Sequence, residues 1–299
     1  MDVRDLQVFL SVSKHLNYTR AGEEINLSQP SVSVRVRQLE TELGVKLFEQ
    51  LGKKVVLTDA GQLLVPYANR VMAAVDDAHH AIDELQGLER GSLRIGASTT
   101  PGMYLVPQVV SRFKQSHPKI DIHLRIKDTR EVENGVLNNE FDFGFVGGHL
   151  AAEEVSAVPW LTDELLLVVS PTHRLAARKT IRKHDLQSER FIVRESGSAT
   201  RATIVAQLQQ ADFELATVIE LENPESIKRA VQSGLGIAFI SKFAVATELK
   251  AKTLTAIRVR DLTVNRELKI VHRKDKHLSR AALTFIEMAQ SDRNTDHDY

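Results

Sequence analysis

The chain has 299 residues, 42% hydrophobic and 26% charged, which suits a globular protein of roughly two or three domains. Its 39 Lys and Arg cancel its 39 Asp and Glu, so bulk charge does not announce a nucleic-acid partner, and any basic patch is local. With no cysteine, disulfides, thiolate metal sites and thiol redox sensing are excluded.

The first ten residues, MDVRDLQVFL, carry Asp2, Arg4 and Asp5 and lack a long apolar core, so they do not read as a secretory signal. No uncharged apolar run approaches membrane-spanning length, and the expected location is the cytoplasm. Leu6, Phe9 and Leu10 give a first helix an apolar stripe. A second short helix is predicted over 19–25, where Ala21 and Gly22 let another helix cross closely. Asn26 and Leu27 form a tight turn, and the stretch SQPSVSVRVRQLETEL (28–43) opens a third helix. Ser28 suits its N-cap, and Pro30 sits in the first turn, where a missing N–H costs little. Val32, Val36, Leu39 and Leu43 make one apolar face; Gln29, Ser31, Ser33, Arg35 and Arg37 occupy the other. Amide, hydroxyl and guanidinium groups are the types that read base edges and hold phosphates. Taken alone, that face is also what a solvated surface helix shows. Two short helices joined by so brief a turn fit a helix-turn-helix. Gly44 then ends the third helix, Leu47 and Phe48 return to the core, and 50–57 reads as a hairpin with a basic tip. Lys53 and Lys54 there would hold the phosphate backbone, or simply be a solvated pair in a turn.

By residue 61 the chain resembles the LysR-type transcriptional regulators. The resemblance lies in YTRAGEEINLSQPSVSVRVRQLETELGVKLFEQ (18–50) followed by VVLTDAG (55–61), and it extends in outline over the whole chain. SQP, RQLE, LG, LF and LT-x-AG occur in the family's order and intervals. The family pattern often has arginine and glutamine where Val34 and Arg35 stand here, and arginine in the wing where Gln50 stands. The resemblance implies an α/β protein: an N-terminal winged helix-turn-helix, a long linker helix and a C-terminal two-lobed α/β effector domain resembling periplasmic binding proteins. It implies that Gln29, Pro30, Ser31 and Ser33 face bases and that Arg35 and Arg37 lie near bases or phosphates. Thr19, Arg20 and Ser28 complete the expected DNA contacts.

Thr58 can cap a helix running from Asp59 to about Leu88. Leu64, Ala68, Val71, Val75, Ala78, Ile82 and Leu85 alternate at steps of four and three, the seam of a two-helix coiled coil. The competing reading is a single helix packed on its own domain. Pro66 lies in an early turn and can bend the helix slightly. Two-fold pairing implies double-stranded DNA with two related half-sites. Dimers through this helix, assembled into a homotetramer, are what the resemblance implies. The adjacent His79 and His80 do not share a helix face and read as solvated.

From 91 onward, strand and helix patterns alternate: strands at 93–97, 120–126 and 141–146, helices at 101–115 and 129–137. A second series follows, with strands at 165–170, 191–194, 217–221, 237–240 and 264–272 and helices near 200–210, 225–233 and 278–289. Such alternation implies parallel sheets. The expected division is 1–58 for DNA, 59–90 for dimerisation and 91–299 for the effector. Within the last, lobe I takes about 91–162 and 265–299, and lobe II about 163–264. The tail from 294 is polar and expected to be disordered.

Two loops look like ligand loops, each at the carboxyl end of a strand and the start of a helix, where free N–H groups and the helix dipole favour anions. One carries Ser98, Thr99 and Thr100; the other carries Arg194, Ser196, Ser198, Thr200 and Arg201. Thr129 and Gly147 end further strand patterns and could line the same cleft. Read singly, these hydroxyls are equally ordinary N-caps; together they point to a small-molecule effector, a carboxylate or an oxyanion. Gly234-Leu235-Gly236 lacks the third glycine of a dinucleotide fingerprint and reads as a helix-ending turn. No catalytic set, metal motif or cofactor is expected, so the predicted role is an effector-switched regulator, activating or repressing, and not an enzyme. An exported solute-binding protein and an enzyme on a two-lobed fold are the alternatives. The first lacks a signal, and the second lacks a convergent acid–base set.

Overall fold

The computed structural model describes residues 1–52, 54–85, 91–215 and 217–291. The chain divides into an N-terminal unit, residues 1–88, and a C-terminal unit that takes nearly all the rest. Lys53, residues 86–90, the side chains of His79, His80 and Leu85, and the tail from 292 lie outside the described residues.

The N-terminal unit begins with α1 (Val3–His15), where Asp2 and Asp5 cap reciprocally. In α2 (Tyr18–Glu24) the Asn17 side chain accepts from the N–H groups of Thr19 and Arg20. The next helix, α3 (Gln29–Leu43), has Ser28 at its N-cap and Gly44 at its C-cap with φ +69°. A hairpin of β1 (Phe48–Leu51) and β2 (Lys54–Leu57) leads into α4 (Asp59–Leu85). Leu6, Phe9, Val32, Val36, Leu39, Leu47 and Phe48 form the core, and α4 adds Ala68. Glu40 is buried beside them and fastens the chain that follows α3. Its carboxylate accepts from the N–H groups of Leu47 and Phe48 at 3.0 and 3.3 Å and from Lys46 at 2.6 Å. Burial opposes its charge, but Lys46 and the two N–H groups hold its carboxyl below the usual range. Thr58 caps α4 by accepting from Gly61 N–H at 3.1 Å. A Cβ on Gly61 would lie 2.2 Å from the Leu47 carbonyl oxygen, so the chain passes there only with glycine.

The predicted coiled-coil seam needs correction at its start. Leu64 and Ala68 turn inward onto the winged domain, as the single-helix reading expects. The apolar stripe left on the outside is Leu63, Tyr67, Val71, Ala74, Ala78 and Ile82, with Leu63 66% and Ile82 55% exposed. The first three turns of α4 close the domain core, so the outward seam is displaced by one position there, and further on the exposed Ala74 takes the place predicted for the half-buried Val75.

The C-terminal unit opens with β3 (Gly91–Ser98), a π turn (Pro101–Leu105) and α5 (Val106–Ser116). The helix predicted over 101–115 is present without a gap, but its first five residues wind as a π turn, beside Pro107, which has no N–H for the α ladder. Then come β4 (Ile120–Lys127), α6 (Thr129–Leu137), β5 (Phe143–Gly147) and the long β6 (Val155–Val169). After β7 (Thr180–Ile181) follow β8 (Arg190–Arg194), α7 (Ala199–Gln210), β9 (Thr217–Leu221) and α8 (Pro224–Gln232). The chain continues through β10 (Ala238–Ser241), α9 (Lys242–Lys250), β11 (Thr255–Val259), β12 (Asn265–Arg273) and α10 (Arg280–Ser291).

The sheets are mixed, where alternation alone predicted parallel ones. β3 pairs parallel with β4 and β5, and β8 pairs parallel with β9. β12 runs antiparallel to β5 and β6, and β6 runs antiparallel to β10 and β11. The reason is β6: its first ten residues pair with β12 and its last five with β10 and β11, so one strand crosses from one core to the other. One core gathers Phe113, Phe143, Phe145, Trp160 and Phe285; the other gathers Leu167, Phe191, Phe213 and Ile257. Sequence patterning missed the first ten residues of β6, and also α9, β7 and β11. Among the described residues no helix is long and apolar enough to cross a membrane.

Candidate functional sites

On α3, the apolar residues Val32, Val36 and Leu39 are buried, and this decides which face remains outside. Gln29, Pro30, Ser31 and Arg37 are exposed, and Ser33 is half-buried. Gln29 donates from Nε2 to Ser33 Oγ at 2.9 Å, one helical turn on. One amide proton and the carbonyl oxygen of Gln29 remain for an external partner. Ser28 Oγ serves the cap, accepting from Ser31 N–H at 3.3 Å, and pairs with Ser31 Oγ at 2.8 Å. Arg35 departs from the expectation for this face: its guanidinium turns back to α1, donating to Asp5 Oδ1 at 2.8 Å with Asp2 at 3.8 Å. Thr19 and Arg20 are exposed at the start of α2, and Lys54 is exposed at the wing. Gly22 on α2 has a definite task. A Cβ there would meet the Leu27 carbonyl oxygen at 2.4 Å, inside the turn that sets α3 against α2.

In the C-terminal unit the two predicted loops do meet. One pocket is lined on one side by Ser98, Thr99, Thr100, Thr129 and Gly147, and on the other by Arg194, Ser198 and Thr200. Gly148 permits the approach: its φ is +95°, and a Cβ there would lie 2.9 Å from Ala199 Cβ at the start of α7. Thr129 donates to the Gly147 carbonyl at 3.0 Å, tying the first residue of α6 to the end of β5. Ser196 and Arg201 were expected in the pocket and do not line it. Both clasp Glu220 on β9 instead: Ser196 through its N–H at 3.1 Å, Arg201 through its guanidinium. Arg201 also donates to the Arg194 carbonyl at 3.1 Å, and so shapes the loop from behind.

Four charged residues at this site were not singled out from sequence: Asp128, Asp163, Glu195 and Arg266. Asp128 and Glu195 line the pocket, and Arg266 forms its floor. Arg266 and Asp163 face each other across β12 and β6. Arg266 Nε donates to Asp163 Oδ2 at 2.8 Å, and Ser241 Oγ donates to Asp163 Oδ1 at 2.7 Å. The same guanidinium donates to Thr200 Oγ1 at 2.5 Å and to Thr100 Oγ1 at 2.9 Å. Both hydroxyls therefore accept from Arg266, and their own protons are directed elsewhere. A sequence signal for Arg266 exists: it takes an inward position in the alternating row Val264, Arg266, Leu268, Ile270. A charge in such a row requires a buried partner. Next to the pocket lies a recess of similar size whose apolar walls are Pro224, Ile227, Phe239, Ile240 and Ala244, sharing Thr100, Arg194 and Thr200. Among the described residues no group of three or more His, Asp or Glu is placed to hold a metal ion.

Residues 3–62 match the family described as "Bacterial regulatory helix-turn-helix protein, lysR family", and residues 86–293 match "LysR substrate binding domain". Over 287 residues the chain is 35% identical to a "Probable RuBisCO transcriptional regulator" of Synechocystis sp. (strain ATCC 27184 / PCC 6803 / Kazusa), covering 94% of this chain and 83% of that protein. A full-length OxyR variant from Pseudomonas aeruginosa superposes with a TM-score of 0.78 at 22% identity, covering 99% of this chain and 95% of that one. The regulatory domain of Synechocystis PCC6803 CcmR, solved in complex with 2-PG, superposes with a TM-score of 0.64 at 25% identity, covering 69% of this chain and 99% of that one.

Proposed function

Since the chain belongs to the LysR-type family of transcriptional regulators, a DNA-binding family with an effector domain, we propose how its residues divide those tasks. Residues 1–58 bind DNA, 59–90 pair two chains, and 91–299 bind the effector between a lobe of about 91–162 with 265–299 and a lobe of about 163–264. Gln29, Ser31 and Ser33 read bases from the exposed face of α3. Thr19, Arg20, Arg37, Lys53 and Lys54 hold phosphates. Arg35 serves as a strut between α3 and α1, since its guanidinium is committed to Asp5. The outward stripe Leu63, Tyr67, Val71, Ala74, Ala78 and Ile82 is the pairing surface of α4. A two-fold dimer on an operator of two half-sites follows, and pairs of such dimers make a tetramer.

We propose a small anion as the effector. The observation that carries this is the Arg266 floor. By donating to the hydroxyls of Thr100 and Thr200, it makes both oxygens acceptors and leaves their protons for an acceptor in the pocket. The α7 N-terminus adds its dipole to the same place. The 2-PG held by the related CcmR domain supports a small ligand for a domain of this kind. The effector would shift the population between two arrangements of the lobes by binding one better, and so change the fit on DNA.

Genome-wide footprinting of the bound protein, followed by calorimetry against a panel of metabolites, tests both halves. Discrete two-fold sites and binding confined to anions are expected. Indifference to every genomic fragment at modest salt would overturn the DNA assignment, and binding confined to neutral or cationic compounds would overturn the effector class.

A further inference from the structure

Among the described residues, every arginine around the pocket already has a carboxylate: Arg266 has Asp163, Arg201 has Glu220, and Arg194 has Glu195. An incoming anion that takes one of these arginines as its partner must therefore displace an acid. Asp163 is fully buried and bonded to both Arg266 and Ser241, so removing it would strand a buried guanidinium. Glu220 lies behind the loop, where it accepts from Ser196 N–H and Arg201. Glu195 is different. It lines the pocket, its side chain is 30% exposed, and it stands on a loop just past the end of β8.

Its contact is the one an anionic ligand would make. Arg194 Nε and Nη2 donate in parallel to the two oxygens of Glu195, each at 2.7 Å. This is the fork geometry with which arginine takes a free carboxylate or phosphate. Adjacent residues in a strand point to opposite faces, so the pairing is not imposed by β8; it arises where the backbone leaves the strand. The Arg194 side chain is only 10% exposed, so its partner is worth more than a surface pair.

We propose that Glu195 is the pocket's built-in anion: its carboxylate occupies the fork of Arg194 until an anionic effector replaces it, and so determines which anions bind. This deepens the reading of the pocket as an anion site and rests on it. A ligand must compete with a tethered carboxylate, so a divalent or forked oxyanion displaces Glu195 where a weakly basic monoanion does not. Once released, Glu195 swings to the partly exposed side of the loop, which gives the effector's arrival a local conformational consequence.

The test is calorimetry of the full chain with inorganic phosphate, using wild type, Glu195→Gln, Glu195→Asp and Thr100→Val. Glu195→Gln removes the competing charge and keeps the shape, and phosphate should bind about ten-fold tighter or more. Glu195→Asp keeps the charge one methylene short of the fork, and phosphate should bind it more tightly than wild type but less tightly than Glu195→Gln. Thermal unfolding of each variant confirms the fold. Equal or weaker phosphate binding by Glu195→Gln, with binding still lost in Thr100→Val, would overturn the role of Glu195 while leaving the anion site standing. Binding by the Asp variant as tight as by the Gln variant or tighter would overturn that role too, since charge would then not be the cause. No phosphate binding by any of the four proteins would instead remove the anion reading, and this proposal with it.

Discussion

Gln29 shows how a single side chain is prepared before any partner arrives. One of its amide protons is held by Ser33, which fixes the plane of the amide and leaves an N–H and a C=O side by side. That pair matches the N7 and N6 edge of adenine in the major groove. Gln29→Ala should weaken operator binding by about 1–3 kcal/mol with little effect on random DNA. Ser33→Ala should cost part of the same amount, and the double variant less than the sum, because the two act as a unit. Gel-shift titrations on operator and scrambled duplexes measure this; equal losses on both duplexes would contradict base reading. In the other unit, Thr100→Val removes the hydroxyl that accepts from Arg266. The stranded guanidinium proton should lower stability by roughly 1–3 kcal/mol. Operator binding should persist while the effector response fails in a reporter assay; a normal response would send the pocket elsewhere. Thr100, Thr129, Arg194, Ser198 and Thr200 were legible because hydroxyls and an arginine cluster at strand-to-helix junctions. Asp163 and Glu195 were not, since their meaning is the arginine each one faces.

At the scale of elements, α4 does two jobs in sequence. Its first turns bury Ala68 under the winged domain, and its later turns leave Val71, Ala78 and Ile82 outside. A heptad pattern alone cannot distinguish the two, because both place apolar residues at steps of three and four. Val71→Glu puts a charge on the outward stripe and should shift the protein toward monomer in analytical ultracentrifugation while α-helical circular dichroism stays unchanged. An unaltered sedimentation coefficient would take Val71 out of the pairing surface. The same ambiguity explains β6. Its apolar tail reads as a short strand, but its first ten residues mix Pro159, Thr162 and Asp163 and become strand only by pairing with β12.

Across the whole molecule, buried charge is placed where chain segments far apart in sequence must be held together. Arg266 ties β12 to the loops at Thr100 and Thr200. Tyr104 donates to Glu225 at 2.6 Å, and the buried Lys228 donates to Glu225 and Glu248 at 2.8 Å each, linking the π turn to α8 and α9. Asp142 accepts from Arg94 N–H at 2.7 Å and from buried Lys276 at 2.8 Å, joining β3 to the segment after β12. Burial works to raise the Asp142 carboxyl, yet Lys276 and Arg94 hold it below the usual range. A carboxyl lowered on folding contributes its full stability above the unfolded value of about 3.9 and loses it as pH falls through the folded value. Asp142→Asn strands the Lys276 charge and should cost about 3 kcal/mol at neutral pH. The urea-midpoint gap between wild type and variant should narrow as pH drops below about 4. A gap that stays constant from pH 7 to about pH 3 would show that folding does not lower the Asp142 carboxyl.

The family, the helix-turn-helix, the two loop motifs and most strands and helices were written in local order: caps, apolar periodicity and short motifs act within a few residues. SQP and LT-x-AG could be read directly because Ser28 and Thr58 bond backbone only three residues away. The closure of the pocket could not. Thr100 and Thr200 are a hundred residues apart, and only folding brings them onto one guanidinium, with Asp163 opposite it to make the buried charge tolerable. Local pattern decides which way a side chain faces; what it faces is decided by the register of β6 against β12, and no periodicity along the chain encodes that pairing.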